Sequence, residues 1–203
     1  MRLIKILYGR YKELSFKEFV GLVKESLFFS EPILVYQYDI SQRVSTPVEP
    51  VVGVTIKKGD SHDLEQAHRL NKPVPWEFEC NKYDGVKDFF VASDENGVQH
   101  ISWIYYHDNR NRLLSLGPQE AEIKFCLTLP ALRGRGIYPK VILTILNYLS
   151  ERGIKRVYMC VHRDNHSSIR GIEKAGFHNV GEMVLKKMFG FQFSPRFETA
   201  RIQ

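Results

Sequence analysis

The chain has 203 residues, 43% hydrophobic and 26% charged, with a formal net charge of +6. That balance gives one ordinary domain a core to bury and excludes a disordered or collagen-like chain. No apolar run approaches the roughly 18–20 residues of a membrane span. Lys5 interrupts the opening apolar stretch before a signal-like region can form, so a soluble, cytoplasmic protein is expected.

Cys80, Cys126 and Cys160 are odd in number, widely spaced and without a C-x-x-C pair; they predict no disulfide framework and suit a reducing compartment. The histidines make no H-x-x-x-H pair within a helix and no cluster with cysteine, so no metal site is expected. The positive charge is unevenly placed. Ile123–Ser150 contains no Asp or Glu, yet holds Lys124, Arg133, Arg135 and Lys140. Burial would explain the missing acids but not the paired arginines, which point to an anionic partner.

In chain order, the apolar spacing of 16–29 predicts an amphipathic helix, ended by Pro32. Residues 33–40 and 51–58 read as strands, separated by a proline-containing turn. Residues 61–72 read as a helix with Ser61 as its cap, and 73–88 have no assignable pattern. Residues 88–108 form a strand, an Asp-Glu-Asn-Gly turn and a second strand. After a loop at 109–112, residues 121–129 read as a strand, 139–152 as a helix and 154–162 as a parallel strand, a βαβ unit. Pro139 suits a first helical turn and Gly153 the left-handed residue after the last. A short helix over 166–175 ends at Gly176, and strands are expected at 180–188 and 191–199.

The sharpest feature is Arg133-Gly134-Arg135-Gly136-Ile137-Tyr138-Pro139, between that strand and helix. Glycines two apart let backbone N–H groups converge on an anion, and a helix N-terminus adds its dipole, so a diphosphate is the expected ligand. A Walker loop would need Gly-Lys-Ser/Thr, which is absent. A dinucleotide fingerprint would need a glycine where Pro139 stands and an acid after the next strand, whereas Glu151 falls at a helix end.

The segment 88–180 resembles the GNAT superfamily of coenzyme A-dependent N-acyltransferases. The resemblance rests on the strand AEIKFCLTL, the loop Arg133–Tyr138, the apolar stripe Val141, Ile142, Ile145, Leu146 and Leu149, the strand VYMCV, Asn165, and Glu-Lys-Ala-Gly-Phe at 173–177. It implies an α/β fold: a mixed, mostly antiparallel central sheet with a parallel βαβ coenzyme A-binding core and helices on both faces. Residues 1–203 would form a single domain: 1–115 an N-terminal elaboration and acceptor-binding part, 116–180 the cofactor core, and 181–203 C-terminal strands. The co-substrate would be acyl-coenzyme A. Its pyrophosphate would rest on the N–H groups of Arg133, Gly134, Arg135, Gly136, Ile137 and Tyr138. Its pantetheine arm would pair with backbone of Leu127–Leu129 where the two parallel strands splay, and Asn165 would steady it from the other side. Glu122 stands where some members carry the general base, with His162 the next candidate. Two positions depart from the pattern. Tyr138 replaces a small residue in the loop, and Ile172 stands where many members place a tyrosine that protonates the leaving thiolate. Cys126 and Cys160 read as core residues.

The resemblance places the acceptor site in residues 30–115, which are rich in aromatics (Tyr36, Tyr38, Trp76, Phe78, Tyr83, Trp103, Tyr105, Tyr106) and hold Asp60, Asp63, Glu65, Glu77 and Glu79. Such rings suit a sugar or a nucleobase, although each also fits an ordinary core or cross-strand role. The loop variant resembles members tied to amino-sugar and surface-polysaccharide pathways, which implies a small-molecule amine acceptor, a nucleotide-linked amino sugar first. Another amine (amino acid, peptide, polyamine or antibiotic) and a non-catalytic coenzyme A-binding module remain open. Nucleic acid is set aside, since +6 is modest and no recognition motif is present. The basic, aromatic N-terminal segment (Lys5, Tyr8, Arg10, Tyr11, Lys12, Lys17) reads as a docking helix or part of a homodimer interface.

Overall fold

The computed structural model describes residues 28–42, 47–109, 113–188, 191–192 and 197–198. Its elements, in chain order, are β1 (Phe28–Asp39), β2 (Thr55–Lys58), α1 (Ser61–Leu70), α2 (Cys80–Asp84), β3 (Phe89–Asp94), β4 (Gly97–Tyr106), β5 (Leu114–Ser115), β6 (Glu120–Thr128), α3 (Ile137–Ser150), β7 (Arg156–His162), α4 (His166–Lys174), β8 (His178–Met188), β9 (Phe191–Gln192) and β10 (Phe197–Glu198). Eight strands form one sheet in the order β2-β3-β4-β6-β7-β1-β8-β9, while β5 and β10 pair separately. Within the large sheet only β6 and β7 run parallel, as the intervening α3 requires. The fold is the expected mixed α/β sheet with helices on both faces. Among the described residues no helix is long and apolar enough to cross a membrane.

α3 lies on one face. Its stripe of Ile137, Val141, Ile142, Ile145, Leu146 and Leu149 is buried against Phe90, Ile104, Ala121, Ile123 and Val157 of the sheet. Each such side chain contributes about 1.5–3 kcal/mol relative to exposure. On the opposite face α1 and the segment 76–84 cover Phe89, Val91, Trp103 and Tyr105.

Several expectations are corrected. Of the helix expected over 16–29, residues 16–27 lie outside the described residues, and Phe28 and Phe29 belong to β1. Pro32 sits inside β1 rather than ending an element. Its carbonyl accepts the Arg163 N–H at 3.2 Å, so its missing donor points past the end of β7 and removes no ladder bond. β1, grouped by sequence with an N-terminal part, runs in the interior of the sheet between β7 and β8. The strand expected at 51–58 begins only at Thr55. Residues 51–54 form a tight turn closed by Val54 N–H to Val51 O at 3.0 Å, with Gly53 at φ +72°. The cap of α1 is Asp60, not Ser61: its carboxylate accepts from Asp63 N at 3.1 Å while Asp63 accepts from Asp60 N at 3.0 Å. The unassigned stretch 73–88 holds a 3-10 turn (Trp76–Glu79) and α2. Of the last expected strands, β8 extends over 178–188 and β9 folds back on it, whereas β10 leaves the sheet to pair with β5.

Candidate active site

β6 and β7 pair only at Glu120↔Arg156, Ala121↔Val157 and Glu122↔Tyr158. Beyond Glu122 the two strands run on to Thr128 and His162 without bonding to each other, which opens a wedge between them. A second irregularity lies on the other edge of β6. Ile101 pairs with Leu127 and Trp103 with Lys124, so Phe125 and Cys126 together face Ser102. This is a β-bulge, and Phe125 takes φ +51°, a conformation that costs a non-glycine residue about 1–2 kcal/mol. The bulge resets the alternation of side chains. Lys124 and Phe125 both reach the face of Tyr105, while Cys126 packs on the α3 face.

The bulge also decides which backbone groups face the wedge. Leu129 N–H donates to Gln99 O at 2.7 Å, toward β4. By antiparallel alternation the Leu127 groups also point to β4. The expectation that the backbone of Leu127–Leu129 pairs with the pantetheine arm is therefore corrected for Leu127 and Leu129, which point to β4: the groups turned into the wedge belong to Cys126 and to Thr128, whose carbonyl is taken by Arg133 Nε.

Glu122 stands at the apex of the wedge, completely buried. Neither carboxylate oxygen has a hydrogen-bond partner of ordinary geometry among the described residues; the Cys160 thiol and the Lys124 ammonium, Nζ at 3.7 Å from Oε2, are the polar groups turned toward it. A solvated strand residue, the ordinary alternative, is excluded. A fully enclosed carboxylate held only by a long lysine contact and a thiol is incompletely satisfied, which marks the position for a ligand or for chemistry. Burial, and then the Glu122 charge, hold the Cys160 thiol well above its usual range. Burial likewise lifts Cys126 to about 11, so both are thiols at neutral pH and neither is an activated nucleophile. Lys124 Nζ lies 5.1 Å from the ring centroids of both Tyr105 and Phe125, and Trp76 meets Phe125 edge-on at 4.8 Å. Tyr105 donates to Asp84 Oδ2 at 2.7 Å and Trp103 Nε1 to Glu77 O at 2.7 Å, pinning the segment 76–84 over this face.

The loop at the mouth of the wedge has the geometry of an anion cradle. Gly134 and Gly136 take φ +76° and +71° with open space where a Cβ would stand. The Arg133 amide is spent on Pro130 O at 3.2 Å. The amides of Gly134, Arg135 and Gly136 meet no backbone acceptor among the described residues, and those of Ile137 and Tyr138 belong to the unpaired first turn of α3. Five N–H groups at a helix N-terminus fit a diphosphate. Each arginine side chain spends one donor on a neighbouring carbonyl and keeps the rest of its guanidinium exposed. Arg133 Nε donates to Thr128 O, and Arg135 Nη2 to Val52 O, each at 2.9 Å. Lys140 Nζ donates to Glu49 O at 2.9 Å.

Across the wedge, Asn165 caps α4: its Oδ1 accepts from Ser168 N at 3.1 Å and Ser167 Oγ at 3.0 Å. His162, the alternative base, is four residues along β7 from Tyr158 and accepts the Asp164 N–H at 3.1 Å through Nδ1. Ile172 is buried in the core under α3. The ring of Tyr138 lies across α4 at Gly171.

The aromatic set named from sequence is mostly structural. Tyr36 donates to Glu173 and Tyr106 to Asp88, while Phe78, Trp103 and Tyr105 are buried. Only Trp76 (39% exposed) and Tyr83 (54%) present large ring surfaces. The acids are also largely engaged: Asp60 and Asp63 cap α1, Asp63 pairs with Lys57, and Glu79 with Lys82 and Tyr83. Sequence reasoning missed a buried polar line on the α3 face. His100 bonds Thr128 Oγ1 at 2.7 Å and Ser102 Oγ at 2.8 Å, and burial depresses the imidazole to about 3, so it stays neutral. Its one signal was two polar residues on the inward face of a strand. A cleft of about 740 Å³, lined by Asp39, Ser115, Glu120, Lys155 and Arg156 among others, lies at the opposite end of β6 from the wedge. Among the described residues no group of three or more His, Cys, Asp or Glu could hold a metal ion.

Comparison with known proteins bears on the family and the fold. The model of the acetyltransferase (GNAT) family matches residues 61–177. No curated protein matches the chain in sequence. An acetyltransferase of the GNAT family from Colwellia psychrerythraea superposes with a TM-score of 0.57 at 16% identity, over 84% of this chain and 61% of its own. A GCN5-related N-acetyltransferase from Sphaerobacter thermophilus gives 0.56 at 15% identity, over 92% and 59%. The GCN5-related glucosamine N-acetyltransferase region of a fungal multi-domain GH3 beta-N-acetylglucosaminidase gives 0.59 at 15%, over 84% and 22%. These likenesses are of fold. The chain spans about three fifths of the length of the two bacterial structures.

Proposed function

The chain belongs to the acetyltransferase (GNAT) family, and from that premise we propose that it transfers an acyl group from acyl-coenzyme A to a primary amine. The observation that carries this reading is Glu122: a fully buried, incompletely satisfied carboxylate at the apex of the β6–β7 wedge and on the strand that leads to the amide cradle. When bound, the thioester supplies an activated acyl carbon and a thiolate leaving group. The chain's own groups do the rest. The amides of Gly134–Tyr138 hold the diphosphate, and the wedge-facing backbone of Cys126 and the N–H of Thr128 orient the arm, the Thr128 carbonyl being held by Arg133. The Cys126 N–H would donate to the oxyanion that develops on the carbonyl. Glu122 takes the proton of the attacking ammonium, directly or through water.

The acceptor is an amino sugar, nucleotide-linked. Trp76 and Tyr83 offer exposed ring faces on the segment above Phe125, beside Glu77 and Glu79. The glucosamine acetyltransferase region of the fungal protein uses the same fold. A second reading, a coenzyme A-binding module without turnover, draws on the buried Ile172, which leaves α4 without a hydroxyl at that position. Incubation with acyl-coenzyme A donors and a panel of amines, followed by mass spectrometry, separates them. A mass gain on a nucleotide-linked amino sugar supports the proposal, and a gain only on other amines removes the sugar. Coenzyme A binding with no gain on any amine favours the module.

A further inference from the structure

Lys124 is a primary amine folded in beside Glu122, the carboxylate that the proposed reaction uses as its base. Its side chain is only 11% exposed, and Nζ lies 3.7 Å from Glu122 Oε2. It also lies 5.1 Å from the ring centroids of Tyr105 and of Phe125. The placement follows from the bulge: with Phe125 at φ +51°, two successive side chains of β6 share the Tyr105 face, and the lysine is folded in beside the carboxylate. The contact is longer than a charge-assisted hydrogen bond of about 2.7–2.9 Å. The pair is thus close enough for proton exchange with little rearrangement. Two residues further along β6, Cys126 begins the run of backbone that faces the wedge.

We infer that Lys124 is a self-acylation site, modified on Nζ by the acyl-coenzyme A that the wedge holds; the inference rests on the proposed cofactor. The proton of Nζ passes to Glu122, and the neutral amine attacks the thioester carbonyl. The C–N bond forms as the C–S bond breaks. The second proton lost from nitrogen goes to the departing thiolate, and Glu122 releases its proton to solvent. The product is a neutral amide wedged between Tyr105 and Phe125, which removes the cation beside Glu122. Self-acylated protein should therefore turn over external amines more slowly.

The test is a time course of purified protein with acetyl-coenzyme A, digested and read by mass spectrometry lysine by lysine, with cofactor binding followed by calorimetry. Plain chemical acylation follows exposure, so Lys57 and Lys82, at 46% and 55%, should then react well before Lys124. Acetic anhydride provides that reference order. The expected result reverses it: Lys124 is acetylated first and toward one equivalent, and Glu122→Gln slows it about a hundredfold, the scale of a general base. Bound cofactor with acetyl groups only on exposed lysines overturns the inference and leaves the transferase reading intact. Failure of acetyl-coenzyme A to bind overturns both.

Discussion

Arg135 Nη2 donates to the carbonyl of Val52 at 2.9 Å, tying the tip of the 51–54 turn to the glycine loop. Lys140, one helical turn into α3, holds Glu49 O at the same distance. Two cations of the acid-free stretch thus fasten a neighbouring segment across the mouth of the wedge. At the proposed diphosphate site the backbone amides supply the geometry and the helix dipole adds charge, with the remaining guanidinium donors of the exposed Arg133 and Arg135 beside them.

Gly134 should accordingly be the most sensitive position for cofactor affinity. Nothing lies within 4 Å of a Cβ there, so the effect of a side chain is not steric crowding in the free protein. Gly134→Ala should weaken coenzyme A binding modestly, since φ +76° costs an alanine about 1 kcal/mol. Gly134→Asp should abolish measurable binding by adding a carboxylate against a diphosphate. Calorimetric titration of both variants decides it, and binding retained by the aspartate variant would remove the loop from the cofactor site.

Glu122→Gln preserves shape and removes the charge. We expect turnover on an accepted amine to fall about a hundredfold or more with coenzyme A affinity nearly unchanged, because the carboxylate lies at the apex and not on the amide cradle. Equal loss of cofactor affinity and turnover would make Glu122 a structural element of the wedge.

Where local pattern carried the information, the sequence was a good guide. α3 shows its apolar stripe, β6 its length, and the Arg133–Tyr138 loop its glycines. The structure departs from the reading where a distant or non-repeating interaction decides. The left-handed Phe125 has no sequence signature, and the extra residue it inserts moves the wedge-facing backbone from Leu127 and Leu129 to Cys126 and Thr128. β1 finds β7 and β8 from across the chain, and Pro32 is harmless there only because its missing donor points beyond β7. Residues 76–84 have no period because anchors outside the segment, Trp103 and Tyr105, hold them.

Asp88 gives the fold a pH dependence whose sign can be derived. Burial pushes its carboxyl up, but hydrogen bonds from Lys58 and Tyr106 outweigh burial and hold it below the ordinary aspartate value. The distances are 2.8 Å to Lys58 and 2.9 Å to Tyr106, and Tyr148 on α3 adds a third contact at 3.2 Å. A depressed folded value means stabilisation present above the unfolded value and lost as pH falls through the folded one, so below about pH 4. Denaturant melts across pH should show this acid limb in the parent protein and a flatter one in Asp88→Asn. An unchanged limb would show that Asp88 does not link α3 to the sheet energetically.

Gly171 on α4 meets the ring of Tyr138 so closely that an added Cβ would lie 2.4 Å from Cδ1 and 2.7 Å from Cε1. Helix propensity alone would favour alanine there by about 1 kcal/mol. Overpacking a ring that the loop and α3 hold in place costs about 1–3 kcal/mol, so Gly171→Ala should be destabilising on balance. Because Tyr138 carries one of the cradle amides, the same substitution should also weaken coenzyme A binding. The decisive measurement is a double-mutant cycle by denaturant unfolding. In a Tyr138→Leu background the ring is gone, and Gly171→Ala should turn neutral or stabilising, a coupling of about 1–3 kcal/mol. Additive effects would mean that the two residues do not press on one another and that α4 is positioned without the tyrosine.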